Sequence, residues 1–547
     1  MSKIKKWFGN KLYNKKREDV FHDAENKITI PLSKNLNENI ENLEMLFKDC
    51  GDFVRRKFPI GKNKNVNMFI AYIDLMTDRQ IIEGSLLEQL MIQVRQVPPS
   101  IDEIKTSLFD FIRDGGITTA DIKEEDTLDA AALAILSGDT ALFIDGYAKV
   151  IIVATKGWPG RGVQEPDSEI VIRGPKEGFS EALRINTVLI RRRIRDTKLK
   201  VKQLQIGIRS RTDIALMYIE DIVRPDILKD LEERLNRFEI DGILDSGYIE
   251  HLIEDDWKTP FPQIQSTQRP DKAAAAILEG RIVIIVDTTP FVLLVPSTLN
   301  SFFQSAEDYY QRWTIMSFTR VIRYIAAFFA AAIPGFYLAL TDYHPSMIPT
   351  PLTMAIAASR EVVPFPSVVE VVLMELAFEL LREAGTRLPG PIGSTIGIVG
   401  GIIIGQAAVE AKIVSPVVVI IVAVTAISSF AIPDNSLTVG LRLVKYLIII
   451  SSATLGLYGF LLGSLIVLIH LVSLKSFNIP YMSPYVSSGI NEYEDLKDSI
   501  FRLPIFMMRR RPIFARPNER IRLRIDKKRM SRRALCFLKM IRLLLDK

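Results

Sequence analysis

Residues 364–390, PFPSVVEVVLMELAFELLREAGTRLPG, are apolar in character yet carry Glu370, Glu375, Glu379, Arg382, Glu383 and Arg387. At about 100° per residue on a helix, Glu375, Glu379 and Glu383 fall at about 0°, 40° and 80°, and Arg382 at about −20°. These four charges share one face. Glu370 lies off it, and Glu361 precedes the break made by Pro364 and Pro366. Carboxylates at membrane depth are costly, so they face a protein interior or a watery path. Two kinds of chemistry fit. If several copies surround an axis, each glutamate becomes an acidic ring that favours cations. Glu375, Glu379 and Glu383 are then pore-lining or gating carboxylates, with Glu370, Glu361 and Arg382 as further candidates. The alternative is an amphipathic interfacial helix whose charges close in intrachain pairs such as Glu383 with Arg387.

Little else in the chain offers reaction chemistry. Cys50 and Cys536 are far apart and lack CxxC spacing, which argues against a disulfide framework or a thiolate zinc site. His22, His251, His344 and His470 are scattered, without an HExxH pattern, and structural roles are expected for them. No GxGxxG or Walker A pattern follows a strand, so no nucleotide site is expected. The run Arg191, Arg192, Arg193, Arg195, Lys198 and Lys200 offers either an anion or lipid headgroup contact or a solvated helix face packed on acidic neighbours. No catalytic residue, cofactor or metal is expected.

The elements that must position the glutamates emerge from the distribution of charge. The 547 residues have a net charge of +6 and are 48% hydrophobic and 24% charged, ordinary values for a globular chain. The charge is segregated, however. Residues 1–312 hold 44 Lys and Arg against 49 Asp and Glu, residues 313–474 hold 8 against 8, and residues 475–547 hold 18 against 7. The positive balance belongs to the tail and is not a nucleic-acid footprint. The N-terminus, MSKIKKWFGNKLYNKKR, is basic without an apolar run and does not read as a secretory signal. It is either a frayed tail or a contact to anionic lipid through its lysines, Trp7 and Phe8.

The charge-poor block reads as membrane helices. Residues 324–340 are uncharged, follow Arg320 and Arg323, and with these flanks can span a hydrocarbon core of about 30 Å. Pro334 and Gly335 suggest a kink there. Residues 391–409 and 414–432 are further spans, opened by Pro391 and Pro416. Residues 446–472 are uncharged and form either one long tilted helix or two short passes meeting near Gly456, Gly459 and Gly463. Gly393, Gly397, Gly401 and Gly405 recur every fourth residue, a groove for close helix packing. Basic residues at Arg320/Arg323, Arg382/Arg387, Arg442/Lys445 and in the tail mark inside faces. The polar half and the tail then share a side, which requires an even number of passes. The clear spans, residues 364–386 and one C-terminal helix give five, unless 446–472 is a re-entrant pair or one segment does not cross.

The polar half contains a duplication. Residues 136–153, LSGDTALFIDGYAKVIIV, align without a gap on 278–295, LEGRIVIIVDTTPFVLLV, matching Gly138 to Gly280 and Asp145 to Asp287. Each reads as a β-hairpin with an Asp-led turn. Upstream, VNMFIAYIDLMTDR resembles TDIALMYIEDIVRP, each a strand followed by a helix start. The expected division is a basic lead-in over 1–59, an α/β unit over 60–155, a connector over 156–203 and a related α/β unit over 204–312. An all-α polytopic membrane domain over 313–474 and a basic tail over 475–547 follow.

The stretch REVVPFPSVVEVVLMELAFELLREAGTRLPGPIGSTIGIVGGIIIGQAAVEAKIVSP resembles the signature of the spore germination receptor A-subunit family, the GerA family. EPDSEIVIRGPKEGFSEALRINTVLIRRRIR, SGYIEHLIEDDWKTPFPQIQSTQRPDK, FFQSAEDYYQRW, MIPTPL and DLKDSIFRLP extend the likeness over most of the chain. The resemblance implies a multi-pass subunit of a nutrient germinant receptor in the inner membrane of a bacterial spore, with its N-terminal domain and tail on the cytoplasmic, core side. It implies a two-part N-terminal region, a transporter-like B subunit and a lipoprotein C subunit as partners, and a homo-oligomeric, nutrient-gated channel for monovalent cations. The A-type pattern also fits a membrane-anchored scaffold, including an accessory of dipicolinate release, and a secondary transporter using the same carboxylates is the remaining class. Ala-Lys-Ile after Glu410 and the strongly basic tail beyond Arg520 depart from the family pattern.

Overall fold

The computed structural model describes residues 28, 30–60, 66–91, 108–112, 121–158, 165–166, 169–386, 391–486, 495–517 and 520–523. The N-terminal basic segment, His22, Arg387 and Cys536 lie outside the described residues.

The first unit contains α1 (Leu36–Leu46), β1 (Phe53–Ile60), β2 (Val66–Ile73), β3 (Ile122–Glu125), α2 (Leu128–Leu136), β4 (Thr140–Ile144) and β5 (Val150–Val153). A π-helical stretch, Ile81–Glu88, follows β2. The second unit contains α3 (Leu183–Arg191), β6 (Leu199–Ile206), β7 (Thr212–Ile219), α4 (Pro225–Leu235), α5 (Ser246–Ile253), β8 (Gln265–Thr267), α6 (Pro270–Leu278), β9 (Ile282–Val286) and β10 (Val292–Val295). The sheet orders, β1-β2-β4-β5-β3 and β6-β7-β9-β10-β8, are the same permutation, and every strand pair is antiparallel.

The likeness reaches individual hydrogen bonds. Asp145 accepts from the Leu36 amide at 3.3 Å, and Asp287 from the Leu183 amide at 2.9 Å. The matched hairpin aspartates therefore hold the first turns of matched helices, where unsatisfied N–H groups favour a carboxylate. The Asn39 side chain donates to the Ser33 carbonyl at 2.7 Å, and that of Asn186 to the Ser180 carbonyl at 2.6 Å. Gly138 and Gly280 both take the left-handed backbone, with φ of 90° and 93°, that the turn into β4 or β9 requires.

In the second unit the sheet lies between two helical layers. The odd positions of β7, Ala215, Met217 and Ile219, pack with α3 and α6. The even positions, Ile214, Leu216 and Tyr218, pack with α4 and α5. This is the two-residue period of a strand buried on both faces.

Four elements begin outside the expected boundaries. α1 and β1 start at Leu36 and Phe53, ahead of residue 60, and α3 and β6 start within 156–203. β1 and β6 are edge strands whose sequences, FVRRKFPI and LKVKQLQI, interrupt the apolar run with charges. Their apolar pattern is correspondingly weak. The basic run between the units is largely engaged with protein acids. Arg192 and Arg193 pair with Glu177, and Lys198 with Asp221. Arg191 is fully buried and grips Asp52 of the first unit in a two-point contact at 2.6 and 2.8 Å. Beside this contact the Gly51 amide donates to the Val201 carbonyl at 3.0 Å, and the Val201 amide to Asp49 at 3.1 Å. Val188 of α3 enters the core of the first unit.

After α7 (Leu299–Phe303) come six longer helices. They are α8 (Trp313–Leu338), α9 (Thr350–Arg360), α10 (Ser367–Thr386), α11 (Pro391–Glu410), α12 (Pro416–Phe430) and α13 (Asn435–Ser473). Among the described residues two helical stretches, Trp313–Tyr343 and Asn435–Ser473, are long and apolar enough to cross a membrane. α13 is not one straight rod. Gly456 has φ 60° and ψ −135°, a conformation essentially reserved for glycine. Beyond it the chain folds back: a Cβ added at Gly459 would lie 1.8 Å from the Ser451 carbonyl oxygen. Both ends of the hairpin return to one place, with His470 Nε2 2.8 Å from the Thr259 hydroxyl and Gly440 against the Pro260 carbonyl. Its two legs, Asn435 to Leu455 and Leu457 to Ser473, measure about 31 and 25 Å at ~1.5 Å per residue.

The tail is partly structural. Phe477, Ile479, Ile513 and Phe514 enter the core beneath α4 and α5, and Ala515 the opposite core. Single apolar residues among arginines do the packing, which leaves no periodic signal in the sequence.

Arg191→Met should leave Asp52 buried and unpaired, at a cost of about 3–5 kcal/mol. The thermal unfolding midpoint of the purified chain should fall clearly. An unchanged midpoint would show that the pair does not hold the units together.

Candidate functional site in the helical bundle

The path of the helices follows from their contacts. α8 starts beside the second unit and continues as a π-helical turn, Ala339–Tyr343, to Tyr343, whose ring lies against Gly456 and whose hydroxyl donates to the Ala453 carbonyl. The hairpin tip is therefore at the far end of α8. α10 also begins there, because the Ser367 hydroxyl donates to Asp342. α10 runs back antiparallel to the first leg of α13, pairing Glu375 with Lys445 and Glu379 with Arg442. α11 runs outward against α10, with Gly400 and Gly401 against Leu381 and Phe378. α12 returns beside α10, placing Ser415 near Glu370 and Ser429 near Arg382. Six helical runs thus alternate in direction: α8, α10, α11, α12 and the two legs of α13.

The charges of α10 meet partners from other elements at successive depths. Nearest the α/β units, Glu379 binds Arg442 and lies 3.7 Å from Arg382. Arg382 donates to the Ser429 hydroxyl at 2.9 Å and stacks on Phe430. One turn deeper, the Glu375 carboxylate accepts from Lys445 Nζ at 2.5 Å, with both side chains at most 5% exposed. At the far end Glu370, fully buried, accepts from the Ser415 amide at 2.7 Å and from Arg360 Nε at 3.4 Å. Arg360 also reaches Asp342 at 3.3 Å. A buried carboxylate in apolar surroundings is tolerated only when paired and hydrogen-bonded, and each of these is. Glu375 keeps one oxygen without a hydrogen bond, as do the hydroxyls of Tyr446, Ser452 and Tyr337.

Glu375 and Glu379 therefore lie together on the seam between α10 and α13, with Arg382 beside them. Glu370 belongs to a separate cluster. Glu383 lies on the exposed side of α10 and Glu361 is exposed beyond α9. Gly401 faces Phe378 and Leu381, and Gly405 approaches Val419. Gly393 and Gly397 share that helix, but their surroundings lie outside the described residues. The partners Arg442, Lys445, Arg360 and Ser415 were not evident as site residues. The available signal was spacing: Arg442 and Lys445 stand three apart in an apolar helix, Glu375 and Glu379 four apart in another, which matches two antiparallel helices.

The chain matches the family model described as Bacillus/Clostridium GerA spore germination protein over residues 41–514. It is 41% identical over 494 residues to spore germination protein KA of Bacillus subtilis strain 168, covering 90% of this chain and 88% of that one. It is 40% identical over 484 residues to the uncharacterized membrane protein YfkQ of the same strain, covering 88% and 91%. Among solved structures, the N-terminal domain of the A subunit of the Bacillus megaterium spore germinant receptor GerK3 is 33% identical. That comparison covers 48% of this chain and 96% of that one, with a TM-score of 0.38. By the extent of the family match and the identity to full-length relatives, this chain belongs to the GerA family of spore germination proteins.

Proposed function

We propose that the chain is the A subunit of a spore nutrient germinant receptor, embedded in the spore inner membrane, and that its copies assemble around a cation path that opens on nutrient binding. Family members are receptor components, not enzymes. The observation that carries the channel reading is the buried Glu375–Lys445 pair, with Glu379–Arg442 one turn away, among otherwise apolar helices. In this arrangement the seam carboxylates are neutralised by α13, which corresponds to a closed gate. A shift of the first leg of α13 along α10 would release them to attract monovalent cations. The contact of Pro260 with Gly440 gives the α/β units a handle on that leg, and the contact of Thr259 with His470 one on the second leg. A transporter-like B subunit, a lipoprotein C subunit and membrane lipids are the proposed partners. A scaffold reading is favoured by one observation: Glu370, Glu375 and Glu379 are all paired within the chain.

Six alternating runs give an even number of passes, with the α/β units and the tail on the core side. Thr454 is exposed at the far tip of the hairpin. In a chain lacking Cys50 and Cys536, Thr454→Cys should react with a membrane-impermeant thiol reagent from the face opposite the α/β units. Labelling from the same face as Ser436→Cys would overturn the six-pass arrangement.

The gate is tested by two substitutions. Glu375→Gln should reduce nutrient-stimulated cation release while the protein stays in the membrane. Lys445→Met should strand a carboxylate whose pairing is worth about 3–5 kcal/mol, raising release without nutrient by about tenfold or more. Normal stimulated release and no spontaneous release in both variants would leave the scaffold reading.

A further inference from the structure

A second charged site lies away from the helical seam. A cavity of about 60 Å³ opens where the second α/β unit, α7 and the C-terminal segment meet. It has room for about four waters or one phosphate-sized ion. Its charged lining is basic in balance: Arg281, Lys497, Arg509, Arg510 and Arg522 against Glu279, Asp495 and Asp498.

Each of the three acids has a partner within the chain. Asp498 gives one oxygen to Arg320 at 2.7 Å and the other to the Tyr309 hydroxyl at 2.7 Å. Asp495 accepts from the Ile513 amide at 3.0 Å. Glu279 faces Arg522 at 3.7 Å.

Arg281 is different. It is 4% exposed, and its hydrogen bonds go to neutral acceptors: Gln265 Oε1 at 3.0 Å, the Ser297 hydroxyl at 2.6 Å and the Leu294 carbonyl at 3.2 Å. Its Nε is buried without a partner, and among the described residues no carboxylate stands within ion-pair distance of it. Phe514 stacks on its guanidinium, with 5.3 Å to the ring centroid. Burial pushes this group down to about 10. Glu279 acts on it only from beyond ion-pair distance, so its burial stays costly. The planar fork with a spare N–H is suited to an oxyanion.

We propose that this cavity binds a small oxyanion, of the phosphate or carboxylate class, with Arg281 as its buried anchor and Arg509 at the mouth. Arg509 is exposed, so its replacement leaves the core intact. The site joins β9 to the segment that braces α8 through Asp498 and Arg320, so an anion there would tie the tail to the α/β unit.

The test uses the full chain in phosphatidylcholine nanodiscs, titrated with inorganic phosphate at constant ionic strength and read by the thermal unfolding midpoint. A saturable rise is expected. Arg509→Gln should weaken the apparent affinity about fivefold without moving the phosphate-free midpoint, and Arg281→Met should abolish the rise. If the rise appears only when phosphatidylglycerol replaces part of the phosphatidylcholine, and still depends on Arg509, the bound oxyanion is a lipid headgroup. No rise with either source, or a rise that Arg509→Gln leaves unaltered, overturns the proposal.

Discussion

Arg320 is the residue through which the parts of the chain are joined. It is fully buried two turns into α8 and holds Asp308, at the end of the α/β region, at 2.7 Å. Its other nitrogen holds Asp498, from the C-terminal segment, also at 2.7 Å. Arg323 closes on Asp308 one turn later at 2.9 Å. The Arg502 amide and carbonyl then meet the Ser317 hydroxyl on the same helix. The lead-in to α8, α8 itself and a C-terminal stretch 178 residues on thus share one set of charges. A buried arginine must have its acids, and a buried acid its cation, or several kcal/mol are lost. The long helix is therefore not a free tether: its base is fixed by ionic geometry to the end of the α/β region.

The same constraint recurs at two other junctions. Arg191 and Asp52 close the contact between the two α/β units, and Lys445 and Glu375 close α13 on α10. Each pair joins elements that the fold could otherwise let slide. The two units, though built on one plan, are used unequally. The second has lent its edges to the tail and to the base of the hairpin, through Phe477, Phe514, Thr259 and Pro260. The cores of the first contain residues of its own strands and helices and Val188 of its neighbour. Of two modules built on one plan, the second is the one that contacts the hairpin base and the tail.

What was legible in the sequence were features set by local periodicity. The matched hairpins at Asp145 and Asp287 stood out because strong apolar runs flank turn residues. The glutamate face of α10 stood out because charge is rare in an apolar helix. Edge strands β1 and β6 were obscured by Arg55, Arg56, Lys57, Lys200 and Lys202, which break the apolar pattern although Lys200 is buried and paired with Glu220. The partners of the glutamates were hidden for a different reason. Lys445 lies 70 residues from Glu375, and only the antiparallel packing of two helices brings them together. Gly456, Gly459 and Gly463 allowed both a long helix and a re-entrant pair. The left-handed backbone at Gly456 and the close approach of Gly459 to Ser451 belong to the pair.

That hairpin bears on how the seam could move. Its first leg carries Arg442 and Lys445, its tip rests on Tyr343, and its base touches Thr259 and Pro260. The leg packs apolar residues along its length: Leu437, Val444 and Ile448 share a core with α8, and Ile449 shares one with α8, α10 and α12. The seam pairs add the charged contacts to that apolar packing. Glu375–Lys445 and Glu379–Arg442 are the places where a displacement of the leg would turn a satisfied pair into an unpaired charge. In a helix lined otherwise by apolar groups, that is the change with the largest electrostatic consequence.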